Sequence, residues 1–398
     1  MESPWGPEVH EWVDHYQKGE VLFKDGNLLS AWSSLQGRLG ALKKINGFSP
    51  MGLKSPYLKA HYIMTVLSDL RPGDENSKVP FVIFLPGIFN GADEAASLRG
   101  MRRYAKLGYR VIAIPNPWSA NYIGQQSRFS PGDIEHEAWV VLDMIAQIRQ
   151  LFKSHMSSLD LVGESYGAFL GSVVTAIDAS LPVPMIDGKT TLISPPIRIN
   201  RAMMRLDDLI DQSKAAYYGR CKANLLDVIL SLLTAQRESD LDPKVKFCGN
   251  SLVAYLGFQE GLRRSAEALN EVKHLGIVPD RGDVFSYKSW LKKLRFRNFL
   301  KVFSPDVSLD ESDRCNLLYW LSIAQKKGNS RFRILTAHDD LLNNPDDWKN
   351  QNYVQLSDSN FIELPWGGHL GFAGLSHYQG FLKAAFKDGT IIKAWPRP

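Results

Sequence analysis

Leu159-Asp160-Leu161-Val162-Gly163-Glu164-Ser165-Tyr166-Gly167-Ala168-Phe169-Leu170 is the stretch that decides the fold. Leu159–Val162 reads as a short buried strand, and the small and apolar residues from Ala168 to Ala179 read as a helix. Between them stands Gly163-Glu164-Ser165-Tyr166-Gly167, a G-x-S-x-G pattern in the strand–turn–helix setting that its chemistry requires. A turn this sharp holds Ser165 in a strained backbone conformation with its hydroxyl exposed. The chain passes so close that the residues two before and two after must be nearly free of side chains. The following helix N-terminus brings amide N–H groups and a positive dipole end near the hydroxyl. A chain with 31 glycines meets the bare string about 0.2 times by chance, so the placement between strand and helix carries the reading. Ser165 is the candidate nucleophile; the alternative is a purely structural glycine turn.

The same alternation extends outward in both directions. Val79–Leu85, Arg110–Ile114, Thr190–Ser194, Phe332–Ala337 and Phe361–Leu364 read as strands. Asp93–Leu107, Asp133–Phe152 (with Asp133 as N-cap) and Ser376–Phe386 read as helices. Strands alternating with helices predict a mostly parallel sheet covered on both faces. The alternation lapses after Pro196, and the chain from 198 to 330 is mostly helical, an insertion of roughly 130 residues. The organisation expected is an N-terminal helical extension over 1–55, a first part of the α/β core over 56–197, a helical insertion over 198–330, and a second part of the core over 331–398. Ala60–Leu70 is expected to supply the first strand or two.

A serine hydroxyl is a weak nucleophile; it needs a base, and the base needs an orienting acid. In such a sheet both come from loops at the carboxyl ends of later strands. Of nine histidines, His369 suits the task. It lies in Gly367-Gly368-His369-Leu370-Gly371-Phe372, just past a strand, where glycines let a loop carry the imidazole over the sheet edge. His377 falls in the closing helix, and His338 stands before the acids. The acid comes from Asp339-Asp340 after strand Phe332–Ala337. Asp340, three positions past Ala337, is favoured, with Asp339 as the alternative, turned to solvent or a turn hydrogen bond.

Composition limits the rest. Hydrophobic residues at 44% and charged residues at 22% are ordinary globular values, and 47 basic against 42 acidic residues give a formal net charge of +5. That is far from the basic density of a nucleic-acid binder. No apolar run approaches the ~18–20 residues that span a bilayer. The three cysteines, Cys221, Cys248 and Cys315, are too sparse for a disulfide framework or a Cys-rich zinc site and suit a reducing compartment. With no secretory signal visible at Met1–Trp5, the expected location is cytoplasmic.

Ser165, Asp340 and His369, in that order and each following a strand, resemble the α/β-hydrolase superfamily over about Val79–Pro196 and Phe332–Phe386. The insertion falls where that family carries a cap domain. Gly368-His369-Leu370-Gly371-Phe372 resembles the group of medium-chain ester and phospholipid acyl hydrolases. The resemblance implies an oxyanion hole made by the backbone N–H groups of Ile88 and Tyr166. It also implies a nucleophile elbow framed by Gly163 and Gly167. Where the family usually reads His-Gly after its third strand, this chain has Leu85-Pro86-Gly87-Ile88-Phe89, a departure at Pro86. The implied activity is a serine esterase of the carboxylesterase kind, needing no metal or organic cofactor. The same triad also serves peptidases or amidases, thioesterases and acyltransferases, and a non-catalytic binding protein on this scaffold is the reading from another class. The partner expected is a small acyl ester or lipid. Lys288–Lys301 mixes basic and aromatic residues and reads either as a cap helix packed on the core or, less favoured, as a peripheral membrane contact.

Overall fold

In the computed structural model, the described residues are 29–30, 48–53, 62–67, 78–125, 131–216, 221, 225–234, 241–252, 257–304, 312–344, 347–348, 353–354, 356 and 360–386. Eight strands form one sheet: β1 (Phe48–Leu53), β2 (Tyr62–Leu67), β3 (Val79–Leu85), β4 (Arg110–Ala113), β5 (Met156–Glu164), β6 (Thr190–Ile193), β7 (Phe332–Ala337) and β8 (Phe361–Leu364). Their order is β1-β2-β4-β3-β5-β6-β7-β8. β1 and β2 pair antiparallel, as do β2 and β4, and every pairing from β4 through β3 to β8 is parallel. This is the α/β-hydrolase fold.

The period of two along each strand sorts the side chains onto two buried faces. Phe81, Ile83 and Leu85 of β3 join Leu159 and Leu161 of β5 on one face. Val82 and Phe84 join Val162, Ile193 and Leu335 on the other. The second face is covered by α1 (Ala95–Ala105), which contributes Met101 and Tyr104. The first is covered after α2 (Ala120–Gln125) by α3 (Ile134–Leu151), with Ala138, Val141, Ile145 and Ile148 inward, and by α4 (Tyr166–Asp178). Asp133 does precede α3, but its carboxylate engages His136 Nδ1 at 2.5 Å instead of capping the helix amides.

Between β6 and β7 the described residues form α5 (Ile199–Ala216), α6 (Leu225–Thr234), α7 (Pro243–Leu252), α8 (Glu260–Lys273), α9 (Val284–Lys293), α10 (Phe296–Phe303) and α11 (Leu317–Lys326). α11 packs against α4 and serves as the crossover to β7, so the last helix of the 198–330 stretch belongs with the sheet. α8 lies against α2 and α10, and ties the inserted helices to the core. α10 turns Phe296, Phe299 and Phe303 inward, while α9 has no buried residue. Asp207, fully buried on α5, accepts the N–H groups of Phe296 and Arg297 and so caps α10. The chain closes with α12 (Ser376–Ala385), whose Tyr378, Phe381 and Leu382 complete the second face beside α1.

Three further expectations need correction. β1 lies within 1–55, the segment read as a helical extension; the rest of that segment, apart from 29–30, lies outside the described residues. Pro50 and Gly52 mask the strand in the sequence, and β1 tolerates them because it pairs on one side only, at the sheet edge. Cys221 and Cys248 form a disulfide with a Cα–Cα distance of 5.5 Å, whereas Cys315 is buried outside any disulfide. Such a bond persists in oxidising surroundings and runs against the reducing-compartment reading of the cysteines. Strand β5 begins at Met156, three residues before the stretch expected, where polar Ser157 and Ser158 broke the apolar run. No described helix is long and apolar enough to cross a membrane.

Candidate active site

Ser165 sits at the end of β5 with φ 56° and ψ −124°, a backbone conformation that L-residues avoid. Its flanking glycines are obligatory by distance. A Cβ on Gly163 would lie 2.3 Å from the Gly167 carbonyl oxygen, and one on Gly167 would lie 2.1 Å from that of Leu85. Both neighbours are backbone atoms that no rotamer change can move.

Three strands away in the sheet, β8 is followed by a loop in which Gly367, Gly368 and Leu370 take φ values of 144°, 58° and 61°. This winding carries His369 back over the elbow, where its Nε2 lies 2.7 Å from Ser165 Oγ. On its other side, Nδ1 lies 3.0 Å from Asp340 Oδ2 and 3.1 Å from Oδ1. Asp340 follows β7 and is held in place because its Oδ1 accepts the Leu342 N–H. Ser165, Asp340 and His369 are exposed by 5%, 3% and 9%, so the hydrogen-bonded line is largely screened from water.

Asp339 faces elsewhere: its Oδ1 accepts the Gly368 N–H at 2.8 Å, anchoring the loop that bears His369. Burial raises its carboxyl above the ordinary range, with the Gly368 and Gly367 amides opposing the shift. His338 is exposed and faces Glu363, and His377 belongs to α12. His338 stays out of the line.

The loop after β3 is shaped by two asparagines that the sequence reading passed over. Asn116 Nδ2 donates to the Pro86 carbonyl at 3.1 Å, and Asn90 Nδ2 donates to those of Gly87 and Ile88. The Asn116 N–H in turn donates to Asn90 O. These bonds fix the loop where the resembling family has histidine in place of Pro86. They bring Gly87 against the elbow, with the position of its missing Cβ 3.3 Å from Ser165 Cβ. Among the described residues, the N–H groups of Ile88 and Tyr166 donate to no backbone carbonyl in the loops and turns. Phe89, at φ 68°, stacks its ring on Phe296 of α10 with centroids 5.7 Å apart and meets Trp118 edge-on. The inserted helices therefore rest directly on this loop.

Behind the elbow, buried Glu137 of α3 accepts the Tyr166 hydroxyl proton at 2.5 Å and the Gly132 N–H at 2.7 Å. Burial pushes its carboxyl up to about 7, and the two donors oppose that shift. The folded state therefore holds this proton more tightly than the unfolded chain. The resulting stabilisation is complete below pH 4.5 and is lost as pH rises to about 7, a span worth on the order of 3 kcal/mol. Glu137→Gln is expected to remove that slope. Urea unfolding at pH 5 and pH 8 measures it, and a wild-type stability that tracks the variant at both values contradicts the assignment.

No family model and no curated protein matches this sequence. Solved structures do. The Pyrococcus furiosus esterase Pf2001 matches over 85% of this chain and 88% of its own, at 11% identity and a TM-score of 0.44. The esterase of Pyrobaculum calidifontis matches over 94% and 90%, at 12% identity and a TM-score of 0.40. A fungal esterase from Rhizomucor miehei matches over 98% and 93%, at 13% identity and a TM-score of 0.39. Likenesses this distant carry no weight for the chemistry.

Proposed function

We propose that the protein is a serine hydrolase that cleaves a carboxylic ester through an acyl-enzyme on Ser165. One observation carries the reading: His369 bridges Ser165 Oγ at 2.7 Å and Asp340 at 3.0 Å, with the serine on a turn whose glycines cannot be replaced without collision. A hydroxyl held this way loses its proton to Nε2 as it attacks an acyl carbonyl, and Asp340 keeps Nδ1–H pointed at itself and stabilises the imidazolium. The proton then passes to the leaving alcohol. Water, deprotonated by His369, attacks the acyl-enzyme and releases the acid, restoring the serine.

The developing oxyanion is assigned to the N–H groups of Ile88 and Tyr166, each donor worth about 3–4 kcal/mol in the transition state. The division of labour proposed with it places the helices of 198–330 other than α11 as a cap over the reacting carbonyl, resting on the Ile88–Phe89 loop. An ester is preferred to an amide because its carbonyl lacks the amide's resonance and is the more electrophilic, and because the oxygen leaving group, protonated by His369, departs more readily than an amine nitrogen.

A fluorophosphonate probe tests the nucleophile. The wild-type chain is expected to label stoichiometrically and to hydrolyse p-nitrophenyl butyrate, and Ser165→Ala to do neither while melting at the wild-type temperature. Labelling that persists in the folded Ser165→Ala chain rules the assignment out.

A further inference from the structure

Arg103, on α1, reaches from the sheet face opposite α3 and α4 to both the elbow and the turn that follows the histidine loop. Its Nη1 lies 3.4 Å from Glu164 Oε1, and its Nη2 donates to the carbonyl of Ala373. Both charged side chains are only about a tenth exposed, at 12% and 11%. Glu164 is the residue before Ser165. Ala373 lies in the 3-10 turn Gly371–Gly374, directly after the loop of His369. The guanidinium carbon lies 5.1 Å from the Tyr378 ring centroid, and the backbone that bears the side chain is tied to α12, where the Arg103 carbonyl accepts from Gln379 Nε2 at 3.3 Å. Arg99, one turn earlier, also lies within electrostatic reach of Glu164, its own pKa drawn down to about 10 by burial and by Arg103.

The sheet ladder fixes where β5 and β8 end, but the elbow and the histidine loop lie beyond those ends and belong to strands separated by β6 and β7. Something must set the gap between them. A guanidinium fork presents two rigid, divergent donors and can hold a carboxylate and a carbonyl at a set separation, which a lysine ammonium on a flexible stem cannot do. We propose that Arg103 is a positioning residue: by holding Glu164 and Ala373 on one guanidinium, it sets the distance between Ser165 Oγ and His369 Nε2. This rests on Ser165 being the nucleophile.

The test compares full-length wild type, Arg103→Lys and Arg103→Met for p-nitrophenyl butyrate turnover, fluorophosphonate labelling rate and thermal melting. A misplacement near 1 Å costs about 100-fold in rate. Arg103→Met is therefore expected to lose about that much kcat with KM nearly unchanged, and its labelling rate should fall in step. Arg103→Lys should recover part of the loss, because its single nitrogen keeps the charge against Glu164 but does not span to Ala373 as well. A structural role alone would lower the amount of active protein and leave the labelling rate constant of the folded fraction untouched. If Arg103→Met fails to fold, Arg103→Lys decides: a reduced kcat at constant KM supports the strut, and wild-type kcat overturns it. Wild-type rates in either folded variant, beside a wild type that labels normally, overturn the strut and leave the nucleophile standing. A wild type that neither labels nor turns over removes both.

Discussion

Asp340→Asn is expected to lower kcat by about 10⁴-fold with little change in the fold, while Asp339→Asn lowers it by less than about tenfold. The two carboxylates are neighbours in the chain but do different work. Both Asp340 oxygens face His369 Nδ1, within 3.1 Å. An asparagine there can turn its NH₂ toward Nδ1, which strips that nitrogen of its proton and leaves Nε2 unable to accept one from Ser165. Asp339 instead meets backbone N–H groups of the histidine loop, Gly368 foremost, and an asparagine oxygen can accept from them as well. The remaining Asp339 oxygen, Oδ2, is buried without a hydrogen-bond partner among the described residues, so asparagine replaces an unpaired charged atom with an unpaired neutral one and lowers the cost of burial. Steady-state turnover of p-nitrophenyl butyrate separates the two variants. Equal losses, or a larger loss at 339, would reverse the assignment of the acid.

Gly167→Ala is expected to be the most damaging single methyl in the core. The added Cβ would stand 2.1 Å from the Leu85 carbonyl oxygen and 2.5 Å from that of Pro86. Relief requires α4 to move off the end of β3, which disturbs the elbow and the Gly87–Phe89 loop together. A cost of at least about 3 kcal/mol follows from overpacking against immovable backbone. This lowers Tm by on the order of 5–10 °C or leaves the chain unable to fold. Gly124→Ala supplies the control: it lies in α2 with nothing within 4 Å of the added atom, and alanine there is expected to be neutral or stabilising by up to about 1 kcal/mol. Thermal melting of the pair checks both, and a Gly167→Ala chain as stable as the control contradicts the close packing.

The legible features were those set by local pattern. Val79–Leu85, Phe332–Ala337 and Phe361–Leu364 announce themselves as strands by unbroken apolar runs or alternation, and α3 by its apolar spacing; the structure has them at those places. Ser165 was legible because a sharp strand-to-helix turn demands glycine two residues away on each side, a local demand written in the chain. β1 was not, since Pro50 and Gly52 are admitted only by an edge position that neighbouring residues do not reveal.

The remaining site residues depend on partners distant in sequence. Nothing near Asn116 indicates that its amide meets Pro86, and nothing near Asp339 indicates that it meets Gly368. Glu137 reads as one more polar residue on an amphipathic helix until Tyr166 is placed over it, and Arg103 as a solvated basic residue until Glu164 and Ala373 are brought to it. By itself, then, the sequence determined the element types outside the sheet edge, the mostly parallel sheet and the strained serine turn, because backbone sterics and hydrophobic periodicity act over a few residues. Only the tertiary structure decided which aspartate meets the imidazole, which cysteines pair and what holds the loops around Ser165. Those depend on side-chain directions at the ends of strands far apart in the chain, where a rotation of one residue exchanges one partner for another.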